Sequence, residues 1–288
     1  MFSGFYENLK IKNRSQRTIY NYERYLNKFE SFLNGDPITV IKVDEYQSFL
    51  INKGWTSNNR YRFLYILRSY LKWAKRRGIQ CIDYEEIELP KFTRDQRKVY
   101  LTEEEIDRLL ESFNRKKGCL LKSKCIAMLL YVSGMRIGEL ISINKDEVDF
   151  INNQIRICGK GRQYRTVFFN EKTSELLQNY LSKRKDNYPP LFPGIKKEKD
   201  YRLNPTSIER SLIRHGKRAG IIKKVTPHVL RRSHATRLAL DGAPLSVIRD
   251  SLGHRHSITT DIYVGFSAFD VKIYHTKSFN NSYETNRA

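Results

Sequence analysis

Two histidines, two arginines, a lysine and a tyrosine stand in this chain in an order suited to a phosphodiester. His228 and Arg231 are three residues apart, so one turn of helix puts both side chains on one face. His254 follows Leu252-Gly253, where a helix end and a backbone turn can push an imidazole into a cleft. Tyr263 is one of 18 tyrosines, and a phenol with a pKa of about 10 attacks phosphorus only with help from cations or a base. Arg136 sits upstream in Ser-Gly-Met-Arg-Ile-Gly-Glu-Leu, with Glu139 one turn on, placed either to orient it or simply to pair with it. The planar fork of arginine fits two non-bridging phosphate oxygens at once. Lys160 lies at a glycine-rich tip, Gly159-Lys160-Gly161-Arg162, and its ammonium suits proton donation to a leaving oxygen. Arg232, His234 and His256 are nearby competitors, and the helical period turns Arg232 and His234 away from the face of His228 and Arg231.

These residues need elements to hold them. Pro227 suits the first turn of a helix predicted over 227–241, and another follows over 244–252. An apolar helical run from Cys125 to Ser133 breaks at Gly134, just before Arg136. Gln154–Cys158 and Tyr164–Phe169 are strand-like and joined through the Lys160 tip, which predicts a β-hairpin. Further helices are expected over 171–185 and 205–219, and Thr102-Glu-Glu-Glu105 is a capping box that opens this second domain.

Before it, the first helical signal starts after Ser15, with Ile19, Tyr22, Leu26, Phe29 and Leu33 on one face, and Gly35-Asp36-Pro37 ends it. A shorter stretch covers Val43 to Ile51, and a longer one covers Ser57 to Arg77 with a stripe of Tyr61, Leu64, Leu67, Leu71 and Ala74. Arg60, Arg62, Arg68, Lys72, Lys75, Arg76 and Arg77 fill much of the remainder. Residues 1–80 carry 15 Lys/Arg against six Asp/Glu, an excess that favours a phosphate-facing surface. Residues 90–100 lose the period and read as a linker, giving a helical domain over 1–89 and a second domain over 101–288. The fold class is mainly α with a small β element.

At 288 residues with 40% hydrophobic content, the chain has enough apolar material for two cores. A net charge of +22 calls for a polyanion, either nucleic acid or an anionic membrane surface. No apolar run reaches the roughly 18–20 residues that span a bilayer, and the first residues lack a secretory h-region, which points to the cytoplasm and makes the membrane the poorer choice. Cys81, Cys119, Cys125 and Cys158 lack CxxC spacing and read as reduced, mostly buried thiols with no zinc site.

Taken together, SGMRIGEL, GKGRQYRTV, HVLRRSHATRLALDGAPLSVIRDSLGH and TTDIY resemble the boxes of the tyrosine recombinase (phage integrase) family, most closely simple Xer-type members. The resemblance covers Thr102 to about Tyr263, and residues 1–90 look like the family's helical, SAM-like core-binding domain. It implies Arg136, Lys160, His228, Arg231 and His254 around a Tyr263 nucleophile, with Glu139 behind Arg136. It implies a covalent 3′-phosphotyrosyl intermediate on double-stranded DNA, formed without metal, nucleotide or other cofactor. Arg60, Arg62, Arg68, Lys72, Lys75, Arg76 and Arg162 are the expected DNA contacts. Phe266, Phe269 and Ile273 repeat at helical spacing, and the resemblance implies that this tail docks on a neighbouring protomer in a tetramer, with room for a paralogous or accessory partner. Arg232 stands where many members have histidine, and Val264-Gly265 follow Tyr263 in place of the common Thr-His. The readings left open are resolution of chromosome or plasmid dimers, integration or excision of a compact mobile element or virus, topoisomerase IB-like relaxation, and DNA binding without catalysis.

Overall fold

A computed structural model describes residues 1–92, 99–114, 120–159, 164–194 and 201–253. The chain divides into two compact units, Met1–Gln96 and Arg97–Ala288.

Among the described residues, the first unit contains four helices, α1 (Ser3–Ile11), α2 (Gln16–Leu33), α3 (Val40–Asn52) and α4 (Ser57–Arg76), followed by a 3-10 turn at Tyr84–Glu86. Ser15, Thr39 and Thr56 cap α2, α3 and α4 by accepting the N–H three residues on, which satisfies a donor that each helix start leaves open. The helix signal that begins at Ser15 is therefore correct, but α1 precedes it. Nine residues without a side-chain cap do not hold a helix by themselves. What holds α1 is non-local: Phe2 and Phe5 are buried, and both meet the Tyr70 ring edge-on at 4.6 and 5.6 Å. The core centres on Phe29, Tyr46 and Phe63, whose ring centroids are 5.0–5.3 Å apart. In α4 the buried face is wider than the expected stripe, taking in Phe63, Ile66 and Tyr70, whereas Tyr61 is only half-buried.

The second unit contains α5 (Glu103–Glu111), α6 (Leu121–Ser133), α7 (Ile137–Ser142), α8 (Glu171–Ser182), α9 (Pro205–Arg218), α10 (Pro227–Leu240) and α11 (Leu245–Leu252). Thr102 and Glu105 form the expected capping box. The apolar α6 is the spine, packed between α8 and α10. The expected hairpin is the larger part of a three-stranded antiparallel sheet, ordered β1 (Val148–Asp149), β2 (Gln154–Cys158) and β3 (Tyr164–Phe168). Two residues are too few to show an alternating pattern, which is why β1 escaped the sequence reading. Ile155 pairs with Val167 and Ile157 with Arg165, and Ile155, Ile157 and Val167 face the core.

Among the described residues, no helix is long and apolar enough to cross a membrane. Cys125 is buried and Cys81 half-buried, but Cys158 at the end of β2 is exposed, because odd and even positions of a strand face opposite ways.

Candidate active site

The site begins where α6 ends. Gly134 closes α6 at φ +61°, and a Cβ there would lie 2.4 Å from the His234 ring, so both the turn and the space call for glycine. Two residues later Arg136 is the N-cap of α7. From α10, Arg231 donates from Nη1 to Gly134 O at 2.6 Å and from Nη2 to Leu252 O at 2.5 Å. Leu252 is the last residue of α11, and Gly253 caps that helix at φ +62°. Arg136 Nη2 reaches the next carbonyl, Gly253 O, at 3.4 Å. Two guanidinium groups therefore converge on consecutive carbonyls at the negative end of one helix, where backbone acceptors lack intrahelical donors.

The two arginines are not equivalent. Arg231 is 1% exposed, whereas the Arg136 side chain is 37% exposed. Arg231 ties the α6–α7 turn to α11, and Arg136 presents charge to solvent.

Glu139 sets the direction of Arg136. Its carboxylate is 5% exposed and accepts the Arg136 backbone N–H at 2.7 Å and Arg136 Nη1 at 3.0 Å. Glu139 thus pairs with Arg136 from a buried position. It also accepts both terminal nitrogens of Arg165, each at 2.8 Å. Burial pushes this carboxyl up, but the hydrogen bonds and charges of Arg165 and Arg136 outweigh it and hold the pKa below the usual glutamate range.

His228 is on the first turn of α10, exposed, three residues before Arg231. Desolvation by its neighbours, then the Arg231 charge, lower its pKa. His234 corrects the sequence reading: it is not turned away from this region. Its ring packs on Gly134, and Nε2 lies 2.8 Å from Ser251 Oγ. Burial and the Arg231 charge lower its pKa to about 4, so it is neutral. Residue 234 is about 60° round the helix from Arg231, close enough to share its neighbours.

Lys160, Arg162, His254, Tyr263, Phe266, Phe269 and Ile273 lie outside the described residues. Arg136, Glu139 and Arg231 are brought together at the end of α11. Arg165 is the residue the sequence reading missed. A signal existed: alternation through Arg165, Val167 and Phe169 puts a charge on the apolar face of β3.

On the first unit, Arg62, Lys72, Lys75 and Arg76 are exposed, while Arg60 and Arg68 are half-buried. Arg68, Lys72 and Lys75 gather over the Tyr84 ring at 5.8, 5.4 and 5.7 Å. Lys75 is also ion-paired to Asp83.

The phage integrase family model matches residues 99–268, and the model of the phage integrase N-terminal SAM-like domain matches residues 2–78. The chain belongs to the phage integrase family. It is thus a tyrosine recombinase, an enzyme that cuts and rejoins DNA. Similar relatives include tyrosine recombinase XerA of Pyrococcus furiosus, 30% identical with 92% of this chain and 88% of the relative covered. Tyrosine recombinase XerD of Staphylococcus haemolyticus is also 30% identical, covering 91% of this chain and 92% of the relative. The fold is that of XerH bound to palindromic difH in a post-cleavage complex, with TM-score 0.73, 22% identity, and coverage of 92% of this chain and 81% of that one.

Proposed function

We propose that this recombinase is site-specific and Xer-like, resolving chromosome or plasmid dimers in the cytoplasm. Tyr263 attacks the scissile phosphate in line, its phenol oxygen bonding to phosphorus as the bond to the 5′ oxygen breaks. The product is a 3′-phosphotyrosyl link and a free 5′-hydroxyl, and rejoining reverses the step. His228 takes the phenol proton, Lys160 protonates the leaving oxygen, and His254 hydrogen-bonds the phosphate. Arg136 meets a non-bridging oxygen, and Arg231 adds positive potential where negative charge builds. The observation that carries this reading is the convergence of Arg136 and Arg231 on the carbonyls of Leu252 and Gly253, directly before His254 in the chain. The Xer reading is supported by relatives at 30% identity over nearly the full length of both chains. A tetramer on two DNA sites, docked through Phe266, Phe269 and Ile273, completes the proposal.

Nicked suicide duplexes carrying a candidate site test the chemistry. Wild type gives a covalent protein–DNA adduct and Tyr263→Phe gives none. An adduct that persists in that variant refutes the assignment of the nucleophile, and Tyr274 is then the next phenol to change. Conversion of a dimeric plasmid with two sites into monomers tests the role, and simple relaxation without joining between two duplexes would argue for a topoisomerase.

A further inference from the structure

We propose that Arg165 is a positioning residue for DNA cleavage, holding the Glu139 carboxylate and, through it, the guanidinium of Arg136 at the end of α11. This rests on the reading of Arg136 as the phosphate-binding arginine. On β3, Arg165 stands opposite Ile157 and on the same side as Val167, which faces the core. A cation there loses its water and is costly unless its charge is paired. Nε of Arg165 has no hydrogen-bond partner among the described residues, and the two terminal nitrogens carry the pairing. The pairing is fork to fork, with Nη1 on Oε1 and Nη2 on Oε2, both at 2.8 Å. Each oxygen also accepts one N–H from Arg136, Oε1 from Nη1 and Oε2 from the backbone. A carboxylate held at both oxygens by Arg165 cannot rotate, so Arg136 is fixed in direction. Lysine, a single point of charge, cannot impose that orientation.

The same guanidinium supports the other end of the reach. A Cβ on Gly253 would come within 2.7–2.9 Å of Arg165 Nη1, Cζ and Cδ, so the α11 cap lies directly against it. Gly253 O is the carbonyl that receives Arg136 Nη2. Arg165 thus touches both groups that direct Arg136. Its own side chain is 14% exposed, which keeps it behind Arg136 and away from a phosphate at the surface.

The test is single-turnover cleavage of a nicked duplex by wild type, Arg165→Lys, Arg165→Gln, Arg136→Ala and the Arg165→Gln/Arg136→Ala double variant. DNA affinity and thermal melting are measured in parallel. The same duplex is also prepared with a neutral methylphosphonate at the scissile position. Both Arg165 variants are expected to cleave about 10- to 100-fold more slowly, the scale of a roughly 1 Å misplacement, with DNA affinity within about threefold of wild type. The double variant should be no slower than Arg136→Ala alone, because one residue works through the other. The Arg165→Gln defect should shrink on methylphosphonate DNA, where one non-bridging oxygen is missing.

A fully active Arg165→Lys, additive defects, or equal defects on both DNAs would overturn the proposal. If Arg165→Gln fails to fold, Arg165→Lys carries the test; if both fail to fold, Arg165 is purely structural and the proposal is wrong. Wild type that forms no Tyr263-dependent adduct removes the functional reading and this inference together. Wild type that cleaves at the same rate as the Arg165 variants removes this inference alone.

Discussion

In the first unit, the described residues that are fully buried are aliphatic or aromatic, from Phe2 to Ile87. In the second, Ser133, Glu139, Thr173, Ser174, His215, Arg231, Ser233 and Thr236 are buried as well. The first unit packs apolar side chains so that a cationic face can stay in water, and its stability and its charge lie in different side chains. The second unit takes charge inside. Arg231 and Glu139 are enclosed and matched donor to acceptor, so residues that hold that unit together there also set the direction of Arg136. Packing in the one is tolerant of where a charge sits, whereas in the other an unpaired group would cost several kcal/mol.

Four measurements press on that contrast. Phe29→Ala should remove about 3–5 kcal/mol from the first unit, by emptying a fully packed aromatic site. Urea unfolding reads this, and cleavage at saturating DNA below the transition should stay at the wild-type rate. Arg136→Ala should do the reverse. Cleavage is expected to fall by about 10²- to 10³-fold, roughly 3–4 kcal/mol of barrier, while the unfolding midpoint barely moves because the side chain is 37% exposed. A large loss of stability in that variant would erase the distinction between Arg136 and the enclosed Arg231.

The third measurement concerns pH. His234 has a pKa lowered in the fold to about 4 against an ordinary value near 6.5. The unfolded chain therefore binds more protons in that window, so the stabilisation is complete above about pH 6.5 and is lost as pH falls towards 4. Up to about 3 kcal/mol should disappear over the window in wild type, and His234→Phe should show a flatter profile in urea titrations between pH 7 and 4.5. An unchanged slope would mean that another group carries the acid sensitivity. Smallest are Arg62→Ala and Lys72→Ala on the exposed face of α4. Each should lower the salt dependence of DNA binding by about one in log–log slope, read by titration at several salt concentrations. Lys75→Ala should do less, since Asp83 already engages that ammonium.

Regular faces were readable in advance because they depend on near neighbours. Ile19, Leu26, Phe29 and Leu33 recur at helical spacing and are buried in α2, and Thr102 with Glu105 announces α5. The elements missed are those whose local pattern is too short: α1, held by Tyr70 nearly seventy residues from Phe2, and the two-residue β1. Helical angle alone turns His234 away, but in the fold it packs on Gly134, a hundred residues earlier in the chain.

The site divides along the same line. Motif order and the family resemblance singled out Arg136, Glu139, His228 and Arg231 as candidates, because those side-chain types suit phosphoryl transfer and one helical turn joins each neighbouring pair. That order also placed Lys160, His254 and Tyr263 in the reading. The chain holds 53 lysines and arginines, and nothing local says which one meets the second edge of Glu139. Tertiary structure decided that it is Arg165, that Arg231 is enclosed while Arg136 is presented, and that both lean on the end of α11. The physical reason is that a buried charge is settled by whichever distant partner completes its hydrogen bonds, and that completion exists only once the chain has folded.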